Sequence, residues 1–283
     1  MVQLGAHMSI SGGVEKAFDR ICEVGGEVLQ IFTKNQRQWR AKPLAAQEIE
    51  LFRQKWTQCG NMPVAAHASY LINLAALPGE AADKSLQALV DELQRCDQLG
   101  VPYLVIHPGS HGGDGEEMGI KRAIELIALA LGSLVPDSRV MLLLETTAGQ
   151  GNSLGANFEQ LAAIMNGLPD SRKMGICLDT CHIFAAGYDI RTKESYNKTI
   201  TELDEKIGID RLRFVHLNDS KNPLGSKVDR HEHIGRGEIG AEAFRCLLND
   251  PRLADLPMIL ETPKSKDMAE DRENLAMLRS LIT

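Results

Sequence analysis

The sequence predicts a (β/α)8 TIM barrel, on three observations. Eight short apolar stretches of strand length recur every 25 to 45 residues along a chain of 283. Between most of them lies a helix-length segment with apolar positions at 3.6 spacing, the alternation of parallel βα units. Seven of the eight stretches end on a histidine, aspartate or glutamate, and a barrel of this kind does its chemistry where the C-terminal ends of its strands meet the βα loops. A length past about 250 residues is ordinary for one such barrel. With no Pro/Gly/Ser-rich linker or low-complexity tract to divide it, the whole of 1–283 reads as a single domain.

Taken in order, the strands are Q-L-G-A-H ending at His7, V-L-Q-I-F at Phe32, M-P-V-A-A-H at His67 and Y-L-V-I-H at His107. M-L-L-L-E at Glu145, M-G-I-C-L-D at Asp179, R-L-R-F-V-H at His216 and M-I-L-E at Glu261 complete them. A strand buried on both faces is apolar nearly throughout, so an ionisable residue at its last position is costly unless it meets a partner there. Phe32 is the exception, and it leads into the polar run T-K-N-Q-R-Q-W. The clearest helical segments run over Gly79–Leu99, Gly119–Val135, Asn157–Met165 and Met268–Ile282.

Composition narrows the class further. The start M-V-Q-L-G-A-H shows no basic-then-apolar leader, and no apolar run is long enough to cross a bilayer; the expectation is a soluble, unprocessed, cytoplasmic chain. Six cysteines without a C-x-x-C pair read as reduced thiols. Cys177 and Cys181, which flank Asp179, read as packed side chains. The net charge of -7 argues at first against an acidic partner. Glu145, Asp179, Asp229 and Glu261 are among the negatives, however, and two or three bound divalent cations would reverse the local field.

The remaining ligand-type residues fall into short constellations. In D-T-C-H, Asp179 and His182 are three apart after the sixth strand; in V-D-R-H, Asp229 and His231 are two apart, so an extended segment presents both on one side. Nitrogen and oxygen donors suit zinc, with manganese an alternative at some sites, and carboxylates able to bridge suit a multinuclear cluster. His67, His107, His182, His216 and His231 with the four carboxylates form the candidate ligand set. His7 reads as a group orienting a ligand or a phosphate, while His111 and His233 read as loop residues.

Long collinear segments carry a resemblance. T-K-N-Q-R-Q-W, H-A-S-Y-L-I-N-L, H-P-G-S-H, E-T-T-A-G-Q-G, G-I-C-L-D-T-C-H-I-F-A-A-G-Y-D and the run from H-L-N-D-S-K to H-I-G-R-G-E-I-G resemble endonuclease IV. That family comprises trinuclear-zinc apurinic/apyrimidinic endonucleases of base-excision repair. The likeness extends from the first strand to E-T-P after the last, with peripheral departures at Ala68 and His233. It implies three Zn2+ per chain: one on His67, His107 and Glu145, a second on Glu145, Asp179, His216 and Glu261, and a third on His182, Asp229 and His231. It also implies cleavage of the phosphodiester 5′ to an abasic site in duplex DNA, leaving a 3′-hydroxyl and a 5′-deoxyribose phosphate, with trimming of blocked 3′ ends.

The chemistry fits independently, because carboxylate-bridged metals can activate water, clamp a phosphate and take up a leaving oxygen. Glu145 is the expected bridge and Glu261 the residue expected to orient or deprotonate the attacking water. For recognition, Lys34 and Arg37 are expected to meet phosphates and Gln36, Gln38 and Trp39 the groove. The resemblance places Arg37, Tyr70 and Leu71 in the stack left by an extruded sugar, and apolar wedges do kink duplexes in this way. Because a duplex needs an open barrel mouth, the expectation is a monomer. Two other classes fit the barrel, a sugar isomerase or epimerase and a non-catalytic binder of damaged DNA. The D-R-H pair and the basic loop speak against the first, and the intact ligand set against the second.

Overall fold

The structure, a computed structural model, describes residues 2–283. Eight parallel strands close into a barrel in chain order, the last pairing with the first. In the first half of the chain, β1 (Gln3–His7) leads to α1 (Lys16–Glu23), β2 (Val28–Phe32) to α2 (Ala46–Gln58), β3 (Val64–His67) to α3 (Glu80–Leu99) and β4 (Tyr103–Ile106) to α4 (Glu116–Gly132). The second half runs through β5 (Met141–Glu145), α5 (Phe158–Gly167), β6 (Met174–Asp179), α6 (Thr180–Ala186), α7 (Lys193–Lys206) and β7 (Leu212–His216). A short antiparallel pair, β8 (Asp219–Ser220) and β9 (His231–Glu232), stands apart from the barrel before α8 (Ala241–Leu248), β10 (Pro257–Leu260) and α9 (Ala269–Ser280). Among the described residues no helix is long and apolar enough to cross a membrane.

The predicted elements and the observed ones differ at their ends. β4 and β10 stop one residue before His107 and Glu261, and α4 starts three residues ahead of Gly119. Asn157 caps α5, its side chain accepting from Gln160 N. Asp179 closes β6 and at once caps α6, accepting from His182 N at 2.8 Å. One residue thereby fixes the geometry of the D-T-C-H segment.

Two apolar layers surround the strands. The larger lies between barrel and helices; the smaller fills the barrel interior and takes one residue from each of seven strands: Val28, Ala65, Val105, Leu143, Cys177, Phe214 and Ile259. On β1 the corresponding position is Gly5, paired with Val28, where a Cβ would lie 1.7 Å from the Val28 carbonyl oxygen. Side chains two residues apart on a strand share a face, so the next interior layer toward the mouth is His7, Gln30, His67, His107, Glu145, Asp179, His216 and Glu261. β2 remains the one barrel strand with no ligand-type residue at its end or one step past it, yet it contributes a polar side chain to this layer. Its interior residue is Gln30, level with His7 in the ladder, and Phe32 lies one step beyond.

Candidate metal centre

All nine candidate ligands meet in three groups at the barrel mouth. His67, His107 and Glu145 form one; Glu145, Asp179, His216 and Glu261 a second; His182, Asp229 and His231 a third. Glu145 is fully buried and divides its oxygens between the first two: Oε2 lies 3.1 Å from His67 Nε2 and 3.0 Å from His107 Nε2, while Oε1 lies 2.9 Å from His216 Nδ1. In the third group His182 Nε2 is 3.2 Å and His231 Nε2 3.3 Å from the Asp229 carboxylate. That carboxylate and His231 arrive on the segment running into β9, whose pairing of Ser220 with His231 holds it over the mouth.

The donor atoms suit metal ions. A tetrahedral site with bond lengths of about 2.0–2.1 Å separates its ligand atoms by about 3.3 Å, close to these spacings. The histidines are oriented for it: Nδ1 of His67 donates to Ala68 O at 2.7 Å, of His182 to Thr146 O at 2.8 Å and of His231 to Glu261 O at 3.1 Å. Each bond turns Nε2 toward the carboxylates, the arrangement that fixes a metal-binding tautomer. His216 is reversed. Its Nε2 donates to Gln30 Oε1 at 2.9 Å, and Nδ1 faces Glu145 and Glu261. His231 Nε2 is buried with no hydrogen-bond partner among the described residues, although two carboxylates lie nearby. An orphaned imidazole nitrogen among carboxylates is what a cation would satisfy.

Electrostatics agree. Burial raises the Glu145 carboxyl, but His216 and His107 outweigh it and hold the group well below the usual range. Glu261 is likewise held low, with His216 overcoming burial. Burial disfavours charge on His182, yet Asp179, Asp229 and Glu145 push it well above its ordinary value. His231 rises to about 9, with Asp179 and Asp229 overcoming burial. The carboxylates of this buried pocket thus favour the protonated forms of His182 and His231. Cys181 lies within reach of Asp179 and His231, but burial pushes its thiol up to about 12 and its Sγ faces Arg230 O at 3.6 Å. It remains a protonated, packed side chain, as does Cys177 in the barrel interior.

Around the ligands stand residues that the strand-end pattern missed. Gln30, fully buried, places Nε2 2.6 Å from Glu261 Oε1 and 3.0 Å from His7 Nδ1 while its oxygen holds His216. Its signal was a lone amide inside V-L-Q-I-F. Asn218 donates to Asp179 Oδ2 at 2.6 Å and accepts from Glu261 N at 2.8 Å. His7 lies 3.3 Å from Glu261 Oε1, beside this ligand rather than among the nine. His111 accepts from Gly115 N, and His233 lies 3.1 Å from Asn274 Nδ2; both serve loops.

A cleft of about 410 Å³ opens beside the ligands, lined by His67, His107, His182 and Asp229 together with Tyr70, Asn73, Ser110 and Gln150. Tyr70, 59% exposed, stands over His67 with ring centroids 5.1 Å apart, and Leu71 is exposed beside it. Arg37 and Gln38 are exposed on the loop after β2. One expectation for that loop fails. Lys34 is buried in an ion pair with Asp91 at 2.5 Å, so its ammonium is closed to phosphates. Trp39 is half-buried, with one side packed against the core.

Comparison with known proteins gives consistent likenesses. A family model described as Xylose isomerase-like TIM barrel matches residues 18–281. "Probable endonuclease 4" of Chloroflexus aurantiacus is 57% identical over 282 residues, covering 100% of this chain and 99% of that protein. The protein of the same name from Geobacter sulfurreducens is 53% identical over 279 residues, with 99% and 94% covered. The crystal structure of endonuclease IV from Thermus thermophilus superposes with a TM-score of 0.86 at 40% identity, over 99% of this chain and 98% of that one.

Proposed function

The chain belongs to the endonuclease 4 family, metal-dependent hydrolases that cleave DNA, and from that premise we propose that it incises duplex DNA at abasic sites. The bond cut is the phosphodiester 5′ to the missing base, leaving a 3′-hydroxyl and a 5′-deoxyribose phosphate, and blocked 3′ ends are trimmed by the same centre. The observation that supports this reading best is the sharing of Glu145 between two ligand groups with a third alongside. A small-sugar isomerase has no use for that third group or for the exposed Arg37 loop.

We assign three Zn2+ to the centre, held by the three groups described. Bound divalent cations supply the Lewis-acid charge that draws electron density from a phosphoryl oxygen and offsets charge on the leaving group. The protein does the rest. Glu145 fixes the separation of the first two sites by directing one oxygen to each. Glu261, anionic and held by Gln30 and His216, orients the attacking water as a hydrogen-bond acceptor. Tyr70 and Leu71 at the cleft edge, with Arg37 and Gln38 on the neighbouring loop, enter the duplex where the base is missing. An abasic nucleotide is extruded at lower cost than a paired one, and that difference is the source of selectivity. The chain works as one domain and as a monomer in the cytoplasm, because a second copy over the mouth would block the duplex.

The deciding experiment is incision of a duplex carrying one synthetic abasic site, with metal content measured on the same sample. Cleavage 5′ to the site by protein holding about three metals per chain is expected. A single metal, or no cleavage by metal-replete protein, would overturn the reading.

A further inference from the structure

The segment leaving β2, residues 33–42, carries the exposed Arg37 and Gln38, yet its two ends are fastened to α3 by buried charge. Lys34 and Arg95 are each 4% exposed and Glu92 1%. Lys34 Nζ lies 2.5 Å from Asp91 and 3.6 Å from Glu92, and Thr33 Oγ1 donates to Glu92 at 2.5 Å. Arg95 spends all three faces of its guanidinium here. Nε donates to Asp91 at 3.2 Å, Nη1 to the carbonyl of Thr33 at 3.4 Å and Nη2 to the carbonyl of Lys42. One side chain therefore bonds the backbone at both ends of the segment.

Two cations and two anions balance one another in this cluster, so it carries no net charge for a ligand. Three of the four are buried and the Asp91 side chain is 39% exposed; such a set gains little stability over apolar side chains of the same volume. What it supplies is direction, since the planar fork of arginine reaches two carbonyls and a carboxylate at fixed angles and lysine has no such geometry. We propose that Asp91, Glu92 and Arg95 are positioning residues for substrate recognition, setting the backbone of residues 33–42 so that Arg37 and Gln38 meet the duplex already ordered. This rests on the reading above that the loop contacts DNA. Ordering a loop before binding removes a cost otherwise taken from affinity.

The test compares Arg95→Lys and Arg95→Met with Arg37→Ala, on metal-loaded protein. Free protein is digested with trypsin, which can cut at Arg37 and Arg40, and the products are identified by mass. Affinity for abasic duplex and the turnover at saturating DNA are then measured beside metal content. Expected for the Arg95 variants are cleavage within residues 35–42 at least tenfold faster than in wild type, abasic-duplex affinity weaker by about tenfold, and turnover and metal content within twofold. Wild-type cleavage rate together with wild-type affinity would overturn the proposal. Equal losses of affinity, turnover and metal would overturn it too, by showing a general structural role. Should Arg37→Ala bind abasic DNA normally, the DNA reading of the loop fails while trypsin still judges the clamp. If Arg95→Met does not fold, Thr33→Val, which removes only the hydroxyl bond to Glu92, must shift cleavage and affinity in the same directions by a smaller factor.

Discussion

Single side chains at the mouth carry separable duties. Glu145→Gln keeps the shape of the bridging carboxylate but removes the charge holding two cations together, so incision should fall by orders of magnitude while affinity for abasic DNA falls far less. Near-normal single-turnover rates in that variant would remove Glu145 from the chemistry. Gln30 acts one step back. Gln30→Leu frees His216 Nε2 and leaves Glu261 without its 2.6 Å donor. Loss of such supporting bonds typically lowers metal affinity by about 10–100-fold. Competition with a chromophoric chelator would show it, and unchanged affinity would demote Gln30 to packing. Seven of the nine candidate ligands were legible because each is an ionisable residue at the end of a strand that should be apolar or within three residues of such an end; Asp229 and His231, well past His216, were legible from the two-residue spacing in V-D-R-H. Gln30 was not, since a neutral amide carries a weaker signal and the strand was read by its last residue. Lys34 was misread for a related reason: a lysine in a polar run looks solvated until the carboxylates of a distant helix are known.

At the scale of elements, the strands could be read from the chain because their apolar runs stop abruptly at charge. The pair β8–β9 could not, since its pairing depends on tertiary contacts. What shapes the loop beyond it is Asp219, fully buried, whose carboxylate accepts from the backbone N–H groups of Ser220, Gly235, Gly237 and Ile239 at 2.8 to 3.1 Å. Gly237 has no room for a side chain, as a Cβ would lie 2.4 Å from Ser220 O. Asp219→Ala should therefore strand two buried donors, Ser220 N and Ile239 N, along with two part-buried ones, and cost about 2 kcal/mol of stability. Because β8 registers His231, the same variant should lose the metal of the third group before the other two. Urea unfolding and elemental analysis check both halves; loss of stability with all metals retained would uncouple loop from site.

At the scale of the whole molecule, the buried imidazoles at the barrel mouth share the field of the same carboxylates. In the metal-free chain His182 and His216 are held well above their ordinary value and His231 at about 9, so these imidazoles keep protons at neutral pH. A cation needs the lone pair, and loading must expel them. Zinc affinity should therefore climb as pH rises from neutral through about 9, where His231 gives up its proton. Calorimetry at neutral pH in two buffers of different ionisation enthalpy should register proton release; equal heats would contradict the assignment. A second consequence comes from the barrel interior. The seven apolar side chains beneath the ligands, Val28 through Ile259, form a dry plug that shuts the lower end of the barrel to hydrated ions. Traffic of cations then has a single doorway, and it is the one a duplex occupies. Substrate becomes a stopper: zinc leaving to excess chelator should slow sharply once uncleavable abasic duplex is bound, and intact duplex of equal length should slow it much less. Equal off-rates with and without the abasic duplex would mean that ions find another way out.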